Sequence, residues 1–514
     1  MTNLDLSLYV FSFLKKAGVR KVVVCAGARN APLVLALESQ NFKVYSFFEE
    51  RSASFFALGL IKSFKDPVAI LTTSGTAVAE LLPAAIEATY QSLPLVIVSA
   101  DRPKSYRGTG APQTIEQPGI FSKFVENVYD LDANTTDFKF TWSRKMPLHL
   151  NVSFDEPLID KRFLASHDAE LLAPSVESVR HKAVNSMSNP LIILGEFDIR
   201  HRDKIKEFIL RTRAPVFAES LSHLRNEKAI SDFVLHSSDQ IVQKIFKSGL
   251  CSSVIRIGGV PTLRFWRDLE ADCRELPVLN FSESGFSGLS RPSGMLSIDQ
   301  LVNGAEFPAQ SMAAIREMDE KFKIEKKILL GKFPLSEQSL CHQLSLAIGS
   351  DALYLGNSLP IRHWDQFAHC GSAALAANRG ANGIDGQVST YLGWSENQSN
   401  SYCLIGDLTA MYDLAALGLT PQLNSNRRCV IVINNFGGQI FNRVFKNDDF
   451  INSHDRQFFH WAQMWGWNYL QVQQPGGFSE MQKLTTLRNL VEIIPDSAQT
   501  AQFWTEWDDL WLKA

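Results

Sequence analysis

The stretch Cys429-Val430-Ile431-Val432-Ile433-Asn434-Asn435-Phe436-Gly437-Gly438 runs from an apolar strand pattern directly into two amides and two glycines. Before it, another apolar run ends at Gly406-Asp407-Leu408 and is followed by a helix-like segment. This order of strand, helix and strand predicts two parallel strands whose carboxyl ends lie at the same edge of a sheet. An acid and an amide would then lie side by side at that edge.

These two side chains predict a magnesium site. Mg²⁺ prefers hard oxygen ligands and is usually held by one or two protein groups together with phosphate oxygens and water. Asp407, the Asn435 amide oxygen and a backbone carbonyl near Gly437 would supply the protein ligands for an ion that holds a diphosphate. Considered alone, the same residues are equally typical of a helix cap at Asp407 and an ordinary turn at Asn434–Gly438.

The overall composition is typical of a globular protein that binds small molecules. The 514 residues include 51 basic and 54 acidic side chains, 45% are hydrophobic, and no long basic run occurs. This balance predicts small molecules or further copies of the chain as partners, and no nucleic acid. The apolar runs are far shorter than the roughly 18 residues of a membrane span, so we expect no span.

The compartment predicted from the sequence is the cytoplasm. Residues Met1–Leu6 carry an acid where a secretory signal has basic residues. The seven cysteines are scattered and form no C-x-x-C pair, which fits neither a disulfide framework nor a zinc site.

Short apolar runs alternate with helical patterns along most of the chain, which predicts an α/β fold with parallel sheets covered on both faces. Three units follow from this pattern, at residues 1–170, 185–310 and 335–514, and a polar linker is predicted near Leu172–Asn189. The predicted strands are Val22–Cys25, Val44–Phe48, Val68–Thr72, Leu95–Ala100, Leu191–Leu194, Val216–Ala218, Val254–Ile257, Val278–Phe281, Tyr354–Leu355, Tyr402–Ile405, Cys429–Ile433 and Val491–Ile494. The predicted helices include Pro32–Gln40, Ser52–Ser63, Ala77–Gln91 and Met312–Leu330.

Polar loops follow the first four strands, where open parallel sheets bind their ligands. They read Ala26-Gly27-Ala28-Arg29-Asn30, Glu49-Glu50-Arg51, Thr73-Ser74-Gly75-Thr76 and Asp101-Arg102-Pro103, with Gln113 further along. Each loop alone could simply cap a helix. Four of them, rich in arginine, amide and glycine, predict a ligand site on one rim of the first sheet.

These motifs resemble those of the thiamine-diphosphate enzymes. Within that group, the sequence resembles the family of 2-succinyl-5-enolpyruvyl-6-hydroxy-3-cyclohexene-1-carboxylate synthases of menaquinone biosynthesis. The resemblance spans nearly the whole chain, and Asn378-Arg379-Gly380-Ala381-Asn382-Gly383-Ile384-Asp385-Gly386 is its most specific motif. The other matching motifs are Phe48–Arg51, Thr73–Ala77, Ala100–Pro103, Gly356–Arg362, Gly406–Leu408 and Asn434–Phe441.

The resemblance implies a pyrimidine-binding domain at 1–170, a central domain at 185–310 and a diphosphate-binding domain at 335–514. The active site would lie between the first domain of one subunit and the third domain of its partner, in a homodimer or a homotetramer. The implied cofactors are thiamine diphosphate and Mg²⁺ or Mn²⁺.

The resemblance also implies the reaction. It is decarboxylation of 2-oxoglutarate, followed by 1,4-addition of the resulting succinyl carbanion to isochorismate, with CO₂ as by-product. Glu50 would be the catalytic carboxylate at the pyrimidine ring of the cofactor. The matching cofactor-binding residues are Glu50, Ser74, Gly75, Gly383, Ile384, Gly406, Asp407, Leu408, Asn435, Ile440 and Phe441, and the matching metal ligands are Asp407, Asn435 and Gly437.

Both substrates carry several carboxylates, which a planar guanidinium binds with two hydrogen bonds. By resemblance, Arg29, Arg102, Gln113 and Arg264 would face isochorismate, and Ser358, Arg362 and Arg379 would face the succinyl carboxylate or the cofactor adduct. Two positions depart from the family pattern. Ala28 stands where a serine is common, and Arg264 where a lysine is common, so these departures bear on which acceptor is used.

Two other functions remain open from the sequence. Another thiamine-diphosphate 2-oxo acid decarboxylase or carboligase would keep Glu50, Asp407 and Asn435 but would not need so many arginines. A non-catalytic α/β binding protein would need neither Glu50 nor the metal pair. A dinucleotide-binding protein is disfavoured because no G-x-G-x-x-G follows the first strand.

Overall fold

Parallel strands flanked by helices form three large sheets in the computed structural model. It describes residues 1–135, 139–159, 169–172, 187–301, 306–369, 374–445 and 447–513. The predicted α/β class with three parallel sheets is confirmed. The predicted linker lies mostly outside the described residues.

The N-terminal part of the chain forms the first large sheet and the helices next to it in sequence. The helices are α1 (Asn3–Lys16), α2 (Ala31–Leu37), α3 (Glu50–Phe64), α4 (Thr76–Ala79) and α5 (Leu82–Tyr90). The strands are β1 (Lys21–Val24), β2 (Lys43–Ser46), β3 (Val68–Thr72), β4 (Leu95–Asp101), β5 (Val128–Leu131), β6 (Lys139–Thr141), β7 (Leu148–Ser153) and β8 (Glu170–Leu172).

The second sheet lies in the middle of the chain. Its strands are β9 (Pro190–Leu194), β10 (Val216–Ala218), β11 (Ser253–Ile257), β12 (Val278–Phe281) and β13 (Gly294–Leu296). The helices of this part are α6 (Arg202–Thr212), α7 (Gln240–Lys247), α8 (Arg264–Ala271) and the long α9 (Ala309–Lys332).

The third sheet is built from the remaining strands, β14 (Ala352–Leu355), β15 (Leu375–Ala376), β16 (Asn400–Gly406), β17 (Arg427–Ile433), β18 (Asn468–Val472) and β19 (Arg488–Ile493). The helices of this part are α10 (Glu337–Ile348), α11 (Leu359–Phe367), α12 (Gln387–Trp394), α13 (Asp407–Tyr412), α14 (Asn442–Phe445), α15 (Phe459–Met464), α16 (Gly477–Gln482) and α17 (Ser497–Lys513).

Each large sheet reverses its strand order beside the first of its strands in the chain. The orders are β2-β1-β3-β4-β7-β5, β10-β9-β11-β12-β13 and β15-β14-β16-β17-β19-β18. The reversals fall between β1 and β3, between β9 and β11, and between β14 and β16. Loops diverge at such a switch point and leave a crevice beyond the carboxyl ends of the strands, where open α/β sheets bind ligands. A further two-stranded sheet pairs β6 with β8 and was not predicted.

The chain divides into two compact units. The first comprises Met1–Ser178, Asn378–Asn400 and Thr409–Arg428, and the second comprises Val179–Ala377, Ser401–Leu408 and Cys429–Ala514. The predicted three-domain boundaries follow the sheets and stay a prediction. Among the described residues, no helix combines the length and the apolar character that crossing a membrane requires.

One predicted helix differs from the structure. The spacing over Ala77–Gln91 predicted a single helix, but α4 ends at Ala79 and α5 begins at Leu82. Pro83 lies in the first turn of α5. Proline lacks the N–H for an internal helical hydrogen bond, and its ring clashes with the preceding turn, so it starts a new helix here.

Helices α3 and α12 of the first unit cross with their backbones in contact. A Cβ added to Gly59 would lie 2.0 Å from the Thr390 carbonyl oxygen, and one added to Gly393 would lie 2.2 Å from the Phe56 carbonyl oxygen. Only glycine permits this approach at either position. The crossing joins the helix that begins at Glu50 to the helix that follows the Asn378–Gly386 motif.

Candidate functional site

The switch point of the first sheet brings two of the predicted loops together. A Cβ on Gly27, after β1, would lie 2.7 Å from the Thr73 Cβ, after β3. The two loops therefore pack without a gap, and Arg29 and Ser74 follow on either side of this contact. Ser74 is buried and Gly75 adopts a φ of +86°, which favours glycine.

Gln117 was not predicted, and it links three strands of the first sheet. Its Oε1 accepts the Gly75 N–H at 2.9 Å, and its Nε2 donates to the Asn151 Oδ1 at 2.8 Å and to the Ala100 carbonyl at 3.1 Å. Gln117 is fully buried. It thereby holds the loop of Ser74 and Gly75 and the end of β4 in one register, and no local pattern in the sequence indicates this.

Gln113 and Arg102 lie close to the same loop. A Cβ on Gly75 would be 3.3 Å from the Gln113 Cα, and Arg102 Nε donates to the Pro112 carbonyl at 3.1 Å. Arg102 also lies over the Tyr106 ring, 5.6 Å from its centroid. The structure therefore brings Gly75, Arg102 and Gln113 close together at one rim of the first sheet.

Arg29 is buried beneath that rim. Its Nη1 donates to the Phe154 carbonyl at 3.2 Å and to Glu156 Oε1 at 3.3 Å, and the residue is 8% exposed. The Glu156 side chain is 67% exposed, so this ion pair is open to solvent on one side. An incoming carboxylate would compete with Glu156 for the guanidinium.

The adjacent acids at the start of α3 have different surroundings. Glu49 is the N-cap, and its carboxylate accepts the Arg51 and Ser52 N–H groups at 3.1 and 2.9 Å. Glu50 is the first helical residue. Partial burial raises the pKa of Glu50 above its ordinary value, and the charges of Glu49 and Glu80 act in the same direction. A carboxyl group whose pKa is shifted by burial is a candidate for proton exchange.

The predicted metal residues lie at the carboxyl ends of two central strands of the third sheet. β16 and β17 are neighbours, and Asp407 Oδ2 accepts the Gly437 N–H at 2.8 Å. Asp407 is 2% exposed, and burial raises the pKa of its carboxyl group. The Asn435 Oδ1 is buried, and it has no hydrogen-bond partner within the described part of the chain. A buried oxygen of this kind fits a cation ligand, since leaving it unpaired is costly.

Three further residues surround this pair and were missed by the sequence. His454 Nε2 lies 3.2 Å from Asp407 Oδ2. Asn435 Nδ2 donates to Glu337 Oε2 at 2.9 Å, and Glu337 Oε1 lies 3.1 Å from His363 Nδ1. Glu337 thus turns the amide so that Oδ1 faces away from it. These residues come from distant parts of the chain and carry no motif that could have indicated them.

Ser358 precedes α11 in the loop after β14, and Arg362 lies in the first turn of that helix. Ser358 has a φ of +71°, and its carbonyl accepts Arg362 Nη1 at 2.7 Å. Arg264 lies at the start of α8, with its side chain 72% exposed and its Nε 3.6 Å from Asp268 Oδ1. An exposed pair of this kind is weak. Its guanidinium is therefore available to a ligand.

The Asn378–Gly386 segment, which we call the Arg379 loop, is held from three sides. Glu87 accepts the Gly380 and Ala381 N–H groups, Asn378 Nδ2 donates to Thr390 Oγ1 at 2.9 Å, and Gln387 Nε2 donates to the Gly383 carbonyl at 2.8 Å. Ile384 is half-buried. The loop lines a cavity of about 420 Å³ together with α3, α4 and α5 of the same unit.

The predicted site residues divide between the two units. The first unit holds Arg29, Glu50, Ser74, Gly75, Arg102, Gln113, Arg379, Gly383 and Ile384. The second unit holds Arg264, Ser358, Arg362, Gly406, Asp407, Leu408, Asn435, Gly437, Ile440 and Phe441. Leu408 donates its N–H to Asp407 Oδ1 at 2.7 Å, and Phe441 is 42% exposed beside Phe445.

Comparisons with known proteins bear on both units. Residues 4–120 match the family model described as thiamine pyrophosphate enzyme, N-terminal TPP binding domain. Over 99% of this chain and 100% of the relative, the sequence is 45% identical to the 2-succinyl-5-enolpyruvyl-6-hydroxy-3-cyclohexene-1-carboxylate synthase of Bdellovibrio bacteriovorus. The synthase of the same name from Akkermansia muciniphila is 36% identical over 94% of this chain and 95% of the relative. The synthase of the same name from Lysinibacillus sphaericus is 32% identical over 97% of this chain and 96% of the relative.

Proposed function

Because the chain belongs to the family of 2-succinyl-5-enolpyruvyl-6-hydroxy-3-cyclohexene-1-carboxylate synthases, we propose that it decarboxylates 2-oxoglutarate and adds the remaining four carbons to isochorismate. The addition is a 1,4-addition, CO₂ is released, and the product serves menaquinone biosynthesis. The observation that carries this proposal is the full-length identity of 45% to one such synthase. The buried Asn435 Oδ1, which has no hydrogen-bond partner among the described residues, supports it independently.

Thiamine diphosphate, when bound, supplies the electron sink that loss of CO₂ from a 2-oxo acid requires. Asp407, the Asn435 amide and the Gly437 carbonyl would hold the Mg²⁺ or Mn²⁺ that binds its diphosphate. Gly406, Leu408, Ile440 and Phe441 would line the diphosphate half of the cofactor site. Ser74, Gly75, Gly383 and Ile384 would line the other half.

Glu50 would act on the pyrimidine ring of the cofactor. Its carboxyl group stands at the start of α3, and burial raises its pKa. At this position the carboxyl group would share a proton with a ring nitrogen and take it back. Glu49 is held as the helix cap, which leaves the proton exchange to Glu50.

The remaining polar residues would orient the two substrates. Ser358, Arg362 and Arg379 would bind the distal carboxylate of 2-oxoglutarate. Arg29, Arg102, Gln113 and Arg264 would bind isochorismate, and the rim shared by Gly75, Arg102 and Gln113 supports this division. Guanidinium groups suit both substrates because they keep their charge at any physiological pH and bind carboxylates with two hydrogen bonds.

The assembly belongs to the same proposal. By resemblance, the domains at 1–170 and 335–514 would complete each active site across a subunit interface, in a homodimer or a homotetramer in the cytoplasm. The domain at 185–310 would contribute Arg264. Two residue sets that come from two compact units are compatible with this arrangement.

The test is a product assay. The protein is incubated with thiamine diphosphate, Mg²⁺, 2-oxoglutarate and isochorismate, and the products are identified by mass. We expect CO₂ and the coupled adduct in equal amounts. Release of CO₂ without the adduct would instead indicate another thiamine-diphosphate decarboxylase or carboligase, and no turnover of 2-oxoglutarate would refute the proposal.

A further inference from the structure

Glu87 is a buried carboxylate that none of the proposed steps uses. It lies on α5 of the first unit and is 2% exposed. Its Oε1 accepts the Gly380 N–H at 2.8 Å, and its Oε2 accepts the Ala381 N–H at 2.7 Å. Burying a charge is costly unless hydrogen bonds compensate it. Both oxygens of this carboxylate are therefore used on two consecutive peptide groups of one loop.

The loop backbone at Gly380 lies too close to Glu87 to leave room for a side chain. A Cβ on Gly380 would lie 2.6 Å from the Glu87 carbonyl oxygen and 3.1 Å from its Oε2. Glycine therefore lets the loop backbone lie directly against α5. The two N–H groups belong to the residues that immediately follow Arg379, so the contact restrains the backbone from which the Arg379 side chain extends.

The two N–H groups that Glu87 accepts indicate an ionised carboxylate. Burial raises the pKa of Glu87, while the Gly380 N–H, the Lys62 charge, the Ala381 N–H and the Arg379 charge oppose that rise. An ionised carboxylate only accepts hydrogen bonds, so it can receive both N–H groups. A glutamine in its place would turn an NH₂ group towards one of them.

We propose that Glu87 is a positioning residue, which clamps Gly380 and Ala381 and so directs Arg379 towards the distal carboxylate of 2-oxoglutarate. This inference rests on the proposed function for the identity of the substrate. It assigns Glu87 no contact with substrate or cofactor. The cofactor half of the loop is held separately, by the hydrogen bond from Gln387 to the Gly383 carbonyl, so the clamp acts on the Arg379 half.

The experiment measures Glu87→Gln in the holoenzyme. We expect the KM for 2-oxoglutarate to rise by roughly tenfold, the size of effect that losing one hydrogen bond to a charged group produces. The KM for isochorismate should stay within about twofold, because Arg29 and Arg102 lie on other loops. Affinity for thiamine diphosphate with Mg²⁺, measured by tryptophan fluorescence without substrates, should also stay within about twofold.

Glu126→Gln is the matched control. Glu126 is also a carboxylate that accepts a backbone N–H, that of Ser143, at 2.8 and 3.0 Å, and it lies just before β5, outside the Arg379 loop. Its variant should leave both KM values unchanged. Should Glu87→Gln fail to fold, Gly380→Ala displaces the same contact from the side of the loop, and the same separation of KM values is expected.

A double variant tests whether Glu87 acts through Arg379. In an Arg379→Lys background, Glu87→Gln should change the KM for 2-oxoglutarate much less than in the wild type, because the directed guanidinium is already gone. Fully additive effects would overturn the inference. So would a parallel loss of 2-oxoglutarate and thiamine diphosphate affinity, which would mean that the whole loop had collapsed. A wild-type protein that does not turn over 2-oxoglutarate would refute the proposed function instead.

Discussion

At the scale of single residues, two adjacent acids at the start of α3 are expected to differ in their roles. Glu50→Gln should bind thiamine diphosphate but lose most exchange of the cofactor C2 proton, because a neutral amide cannot share a proton with the pyrimidine ring. A suppression of roughly a hundredfold or more is expected, since each 1.36 kcal/mol changes a rate about tenfold. Proton exchange followed by NMR measures this directly.

Glu49→Gln is the matched control for that experiment. Glu49 accepts the Arg51 and Ser52 N–H groups as the cap of α3, so its variant should be less stable by about 0.5–2 kcal/mol while keeping the proton exchange. Equal losses of exchange in the two variants would remove Glu50 from its proposed role.

Asp407 carries the second residue-scale prediction. Asp407→Ala should lose most affinity for thiamine diphosphate in the presence of Mg²⁺, because one amide and one carbonyl do not compensate the dehydration of the ion. Asp407→Asn keeps an oxygen without the charge, and we expect it to bind with intermediate affinity. Calorimetric titration of the cofactor ranks the three proteins, and wild-type affinity in the alanine variant would refute the metal site.

At the scale of elements, the crossing of α3 and α12 should tolerate no side chain. Gly59→Ala would place a methyl group 2.0 Å from the Thr390 carbonyl oxygen. We expect it to destabilise the fold by about 1–3 kcal/mol, as overpacking of a core does. Gly331→Ala is the control, because a Cβ there has no atom within 4 Å. Alanine in a helix should stabilise by about 0.5–1 kcal/mol, and denaturant midpoints compare the two.

Strand β7 carries a buried histidine whose protonation opposes folding. His149 is fully buried, its Nε2 lies 2.7 Å from Ser99 Oγ, and burial lowers its pKa to about 3 from 6.5, while the Asp130 charge opposes this shift. Between these two values the unfolded chain binds the proton and the folded chain does not. Stability should therefore fall as the pH drops from about 6.5, by roughly 3 kcal/mol between pH 7 and pH 4.

His149→Gln removes this titration. Denaturant midpoints of the wild type and the variant, measured from pH 7 to pH 4, should converge as the pH falls. Parallel curves would show that His149 does not contribute to the acid sensitivity.

Strands β3 and β7 show which elements the sequence pattern could predict and which it could not. β3 was predicted because its five residues, Val68–Thr72, are nearly all apolar, and the structure buries all five. β7 is equally buried, but it reads Leu-His-Leu-Asn-Val-Ser, an alternation that does not indicate burial on both faces. Its polar side chains are satisfied by partners that are remote in sequence, such as Ser99 and Asp101. A local pattern contains no information about such partners.

At the scale of the whole molecule, the same limit applies to the candidate site. Asp407 and Asn435 could be placed together from sequence because each directly follows a strand of one parallel sheet. His454, Glu337 and Glu87 could not, since each reaches its partner from an element elsewhere in the chain. The topology of each sheet positions the loops, and side chains from distant elements then orient what the loops carry.

The proposed sharing of active sites between subunits predicts complementation. Glu50→Gln and Asp407→Ala should each inactivate the enzyme, yet a heterodimer would contain one site that receives wild-type Glu50 from one subunit and wild-type Asp407 from the other. Unfolding and refolding the two variants together should therefore restore about one quarter of wild-type activity, if subunits of a twofold dimer mix at random. Each variant refolded alone is the control. Differently tagged subunits verify that heterodimers form, and heterodimers without activity would place Glu50 and Asp407 of each site in the same subunit.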